Sequence, residues 1–104
     1  MSSKQETVDA IMNVIRQAGE MRAAKMFGEY GIYCDGKMIA LVSDDQFFVK
    51  PTVSGRAYWG AVEEAPPYPG AKDWFLIPED DWDEVERLTE LIRITTLEVP
   101  KRKK

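Results

Sequence analysis

Apolar side chains recur at Val8, Ile11, Met12, Val14, Ile15 and Ala18, while Asp9, Asn13, Arg16, Gln17 and Glu20 occupy the positions between them. This is the period of an amphipathic helix, and it predicts one over residues 4–18 that buries a broad stripe. Ser3 followed by Glu6 fits a capping box at its start, and Gly19 fits a stop at its end. Beyond a short extended run at residues 23–27 the period shortens to two. Asp35-Gly36 then suits a two-residue hairpin turn, because both positions need positive φ. Counting outward from that turn pairs Cys34 with Lys37, Tyr33 with Met38, Ile32 with Ile39, Gly31 with Ala40 and Tyr30 with Leu41. Gly31 and Ala40 would then sit side by side, leaving room for a helix to approach. A second tight turn at Asp44-Asp45 sets Leu41 opposite Phe48 and Ala40 opposite Val49.

The run from Met38 to Val42 is apolar at every position, so the middle of this sheet should be covered on both faces. Pro51 ends the meander, and residues 54–61 allow a short helix. The three prolines of Ala65-Pro66-Pro67-Tyr68-Pro69-Gly70 impose an irregular loop, and Trp74-Phe75-Leu76-Ile77 reads as a last strand. A final helix is expected from Glu79 or Asp80, with acids at its positive end. It carries Trp82, Val85, Leu88, Leu91, Ile92, Thr95 and Val99 on one half of its wheel. Ile94 and Leu97 fall outside that arc and are the candidates for a subunit interface. The predicted class is α+β: an antiparallel β-meander sheet packed with an N-terminal and a C-terminal helix.

At 104 residues the chain makes one domain with one modest core. The expected division is a single domain over residues 1–100 and a basic tail over residues 101–104. That tail, Lys101-Arg102-Lys103-Lys104, holds four of the 14 basic residues, so residues 1–100 carry 10 basic against 18 acidic side chains, a formal charge of −8. Such a body repels a phosphate backbone, and specific nucleic-acid binding is not expected. No apolar run approaches the roughly 20 residues that span a bilayer, and the N-terminus lacks a secretory pattern. A cytoplasmic protein is expected, and the single Cys34 agrees with a reducing compartment.

The residue chemistry points away from catalysis. There is no histidine, the commonest general base and metal ligand. Cys34 stands beside Asp35, whose charge opposes thiolate formation. The acids from Glu79 to Glu90 lack the alternation and glycine of a calcium loop and read as a solvated helix face. Gly28-Glu29-Tyr30-Gly31 lacks the spacing of a phosphate loop. Tyr58, Trp59, Tyr68, Trp74 and Phe75 with Arg56 and Lys50 could line a stacking pocket for a small anion or base, with Lys50, Arg56, Tyr58 and Trp74 the candidate contacts, although aromatics in a small domain more often serve its core.

Lys25-Met26-Phe27-Gly28-Glu29-Tyr30-Gly31-Ile32-Tyr33-Cys34-Asp35-Gly36-Lys37, followed by Ala40-Leu41-Val42 and Phe48-Val49-Lys50, resembles the N-terminal domain of the TfoX/Sxy family, the regulators of natural competence. Residues 67–72 and Phe75-Leu76-Ile77-Pro78 are similar to the loop and strand of its stand-alone members. Nearly the whole chain is covered, and the implied fold is again α+β. The resemblance implies no catalytic residues and no cofactor. It implies a non-catalytic regulatory or protein-interaction module with a protein partner still to be identified. A small-ligand-binding domain or a cryptic enzyme built on the Lys50 and Arg56 region is the alternative. A homodimer that hides leftover apolar surface is the expected assembly.

Overall fold

The computed structural model describes residues 4–26 and 29–100. Helix α1 (Gln5–Ile15) runs into a 3₁₀ turn at Arg16–Ala18, so the predicted helix of residues 4–18 tightens in its last turn. Ser3 lies outside the described residues, and the observed N-cap is Lys4, whose side chain caps nothing. A carboxylate from across the fold replaces it. Asp45 Oδ1 accepts from the Lys4 N–H at 2.8 Å and from Thr7 Oγ1 at 2.9 Å.

Strands β1 (Met21–Met26), β2 (Glu29–Cys34), β3 (Lys37–Ser43) and β4 (Gln46–Val49) form the meander. Helix α2 (Val53–Trp59), β5 (Glu63–Ala65), β6 (Trp74–Ile77), a 3₁₀ turn at Glu79–Asp81 and helix α3 (Val85–Glu98) complete the chain. The six strands form one sheet in the order β1-β2-β3-β4-β6-β5, with every pairing antiparallel. Both tight turns have positive φ at their two central residues, Asp35 and Gly36 in one and Asp44 and Asp45 in the other, as two-residue hairpins require.

The expected register holds next to the first turn and fails beyond it. Cys34 pairs with Lys37 and Tyr33 with Met38, but Ile32 meets Ala40, Gly31 meets Leu41 and Tyr30 meets Val42. Ile39 is the extra residue of a β-bulge, which reverses the face of every later residue in β3. The turn dictates one parity and the core demands the other: with the bulge, Ala40 and Val42 join Tyr30 and Ile32 on the face beneath the helices. Gly31 and Ala40 are therefore on opposite faces. A Cβ at Gly31 would meet the sulfurs of Met26 and Met38 rather than a helix. From β3 to β4 the predicted pairs Leu41–Phe48 and Ala40–Val49 stand.

Among the described residues, the three α-helices lie on one side of the sheet. Ile11 and Ile15 of α1 and Leu88, Leu91 and Ile92 of α3 are buried with Ile32, Val42, Phe47, Phe75 and Ile77. Thr89 Oγ1 donates to the Val14 carbonyl, joining α3 to α1. Arg87 lies over the Trp59 ring at 3.7 Å and donates to the Trp59 carbonyl at 2.8 Å, holding α2 to α3.

Two expectations about the C-terminal half are corrected. The three-residue strand β5 pairs with β6 where no strand was expected, because Glu63 and Glu64 are poor strand formers and only an edge tolerates them. The last helix starts at Val85, not near Glu79. Trp82 consequently lies outside it, its indole N–H donating to the Ile77 carbonyl at 2.9 Å and its ring standing edge-on to Phe47. Val85, at the start of the helix, is half exposed rather than buried. Ile94 is half-buried, and Leu97 is 80% exposed. Among the described residues no helix is long and apolar enough to cross a membrane.

Candidate functional site

The structure distributes the four sequence-predicted ligand contacts over separate places. Arg56, on α2, pairs with Glu64 and lies over the Phe75 ring at 5.1 Å, on the helix side of the sheet. The pairing raises the Arg56 guanidinium above its ordinary value and holds the Glu64 carboxyl below its own. Trp74 pairs with Ala65, and strand alternation turns it to the face opposite Phe75. Tyr58 is exposed on α2. Lys50 lines a cleft with Tyr33, Lys37 and Pro100, reached from the far end of β3.

Cys34 is fully buried. Burial pushes its thiol up and Asp35 adds to the rise, while a hydrogen bond with Thr96 works against them. A buried thiol held in its neutral form is a poor nucleophile. Among the described residues no group of three or more His, Cys, Asp or Glu is placed to hold a metal ion.

The face of the sheet away from the helices carries an apolar concavity. Met26, Glu29, Leu41, Val42, Ser43 and Tyr68 line a cleft of about 420 Å³. The strands supply its floor, since the bulge at Ile39 turns Leu41 and Ser43 outward in register with Gly31 and Glu29. The proline loop supplies its wall. Pro67 is buried, whereas Tyr68 is 58% exposed at the rim. Glu29 is tied down at the opposite rim, its carboxylate accepting from the Asp44 N–H at 3.3 Å. The walls are mostly apolar, and Ser43 and Glu29 are the polar groups at hand.

Such a cleft grips an aliphatic or aromatic group by burial and orients it with few polar contacts. Sequence reasoning passed over Met26 and Leu41 as site residues. Their one signal was the run Met38 to Val42, apolar on both faces, which demands a cover without saying which segment provides it.

The sequence profile of the TfoX N-terminal domain matches residues 13–98. The chain belongs to that family. It is also similar to an uncharacterized 12.7 kDa protein in the trpE 5′ region of Spirochaeta aurantia, 38% identical over 90 residues, which are 84% of this chain and 77% of that protein. The matched span takes in the whole sheet, both hairpin turns and the proline loop. The open-face cleft is therefore built within the TfoX N-terminal domain itself.

Proposed function

We propose that this TfoX N-terminal domain chain is a regulatory, protein-interaction module without a reaction of its own, and that its partner docks on the open face of the sheet. The observation that carries the reading is the apolar cleft between Met26, Leu41 and Tyr68, with an aromatic ring exposed at its rim. Exposed aromatics beside an apolar hollow are the usual anchors of a protein contact. The partner would seat one aliphatic or aromatic side chain there, against the sulfur of Met26 and the ring of Tyr68. Membership of a family of competence regulators supports the regulatory part of the reading.

A photo-crosslinking residue at position 68, in the full chain within its native cell, tests this. It should capture a discrete protein that the same residue at the exposed position 53 does not. The captured protein, purified, should bind the wild-type chain and lose about tenfold or more in affinity with Tyr68→Ala. Absence of a position-specific adduct, or equal affinity for Tyr68→Ala with its fold intact by circular dichroism, would overturn the reading.

A further inference from the structure

At the other end of β2 and β3, away from Tyr68, two lysines share a cleft, with an arginine on one of its lining rings, on a protein whose body is strongly acidic. Lys37 and Lys50 line a cleft of about 290 Å³ together with Tyr33, Val99 and Pro100. The Arg22 guanidinium lies over the Tyr33 ring at 4.4 Å. The ion pairs among the described residues belong to Arg56, Arg87 and Arg93; none takes Arg22, Lys37 or Lys50. Lys37 is held in place by donating to the Thr96 carbonyl at 2.9 Å, which leaves two ammonium protons for another acceptor. Asp35, the carboxylate nearest in sequence, is engaged elsewhere by the Glu20 N–H at 2.8 Å. From Pro100, itself part of the wall, the sequence continues directly into Lys101-Arg102-Lys103-Lys104.

We infer that this cleft is an anion site for a small organic phosphate of the nucleoside-diphosphate kind, its phosphates on Lys37 and Lys50 and its organic part against Tyr33, Val99 and Pro100. Phosphate is the chemistry that lysine point charges recognise, and the aromatic and apolar wall rewards an organic group over a bare ion. The rest of the charge decides between a compact and an extended ligand. Within a Debye length of about 8 Å the local cations dominate, but a long polyanion would run out over a body of formal charge −8. The inference does not depend on the open-face partner, and failure of either leaves the other standing.

Calorimetric titration of the full chain with ADP, in phosphate-free buffer at about 0.1 M salt, tests it. One ADP per chain should bind saturably, and inorganic phosphate should bind at least about tenfold more weakly. Lys50→Gln and Lys37→Gln should each weaken ADP by about tenfold or more, while Lys72→Gln, which removes an exposed charge from the proline loop, should leave it unchanged. No saturable heat up to millimolar ADP would overturn the site, as would Lys50→Gln and Lys37→Gln binding like wild type. A twenty-base single-stranded DNA that binds more tightly than ADP, and is lost when residues 101–104 are all changed to Gln, would also overturn it by assigning the cations to a polynucleotide.

Discussion

A methyl group added at Gly55 lands 2.5 Å from Thr52 Oγ1 and 3.2 Å from Leu91 Cδ1, against the cap of α2 and the body of α3. The Thr52 hydroxyl cannot withdraw without giving up the Gly55 N–H it accepts. At Gly31 the same methyl crowds the sulfurs of Met26 and Met38, at 2.9 and 3.2 Å, the mobile ends of two adaptable side chains, and touches the Tyr33 ring at an ordinary 3.6 Å. Gly55→Ala should therefore destabilise by about 1–3 kcal/mol despite the helix propensity it gains, whereas Gly31→Ala should stay within about 1 kcal/mol of wild type. Urea unfolding of both variants checks the contrast, and equal midpoints would refute it. The candidate site divides in the same way at this scale. Residue type marks both Lys50 and Arg56 as candidate anion contacts, but nothing local to Arg56 reveals that Glu64, eight residues on, will occupy it.

Among the described elements, helices α1 and α2 begin on a carboxylate borrowed from a distant segment. Asp45 serves α1. Glu98, at the end of α3, accepts from the Val53 and Ser54 N–H groups at the start of α2, at 2.9 and 3.0 Å. Those backbone donors hold both carboxyls below their ordinary values of 3.8 and 4.5. The folded state then binds these protons less readily than the unfolded chain does. The stability the two carboxylates contribute is complete above their ordinary values and is lost as the pH falls through their lowered folded ones. The double variant Asp45→Asn, Glu98→Gln should consequently show a shallower acid limb in a plot of urea midpoint against pH. Glu64, held down by Arg56, leaves a residual slope; superimposable limbs for variant and wild type would count against the borrowed caps. The borrowed caps also mark where sequence reading stops. The stripe of α1 and the Asp35-Gly36 turn are periodic or local signals and were legible. The bulge at Ile39 was not, since it settles a conflict between turn parity and the demands of the helix layer that appears only when both are in place. Strand β5 escaped for a related reason, since its pairing with β6 is tertiary; the early end of the last helix's apolar arc escaped because Trp82 gives its indole N–H to the Ile77 carbonyl outside any helix.

For the molecule as a whole, the case for a dimer rested on an apolar sheet with too few helices to cover it. Within one chain Leu41 and Phe48, on the open face, are already 8% and 2% exposed, and the proline loop contributes a buried Pro67 there. Leu97 remains 80% exposed. Light scattering at micromolar concentration decides between the two readings: a dimer mass that Leu97→Asp halves supports the expected interface, and a monomer mass that the variant leaves unchanged rejects it. The helix layer has one more consequence, mechanical in kind. Two of its members, α1 and α3, are the first and last of the described helices and pack on each other, while the four-stranded meander between residues 21 and 49 is a continuous run of neighbours. A force applied through the two ends therefore loads the α1–α3 seam before any strand. Stretched in an optical trap, the domain should yield first by peeling its helices and only afterwards by unzipping the sheet, in two separable extensions.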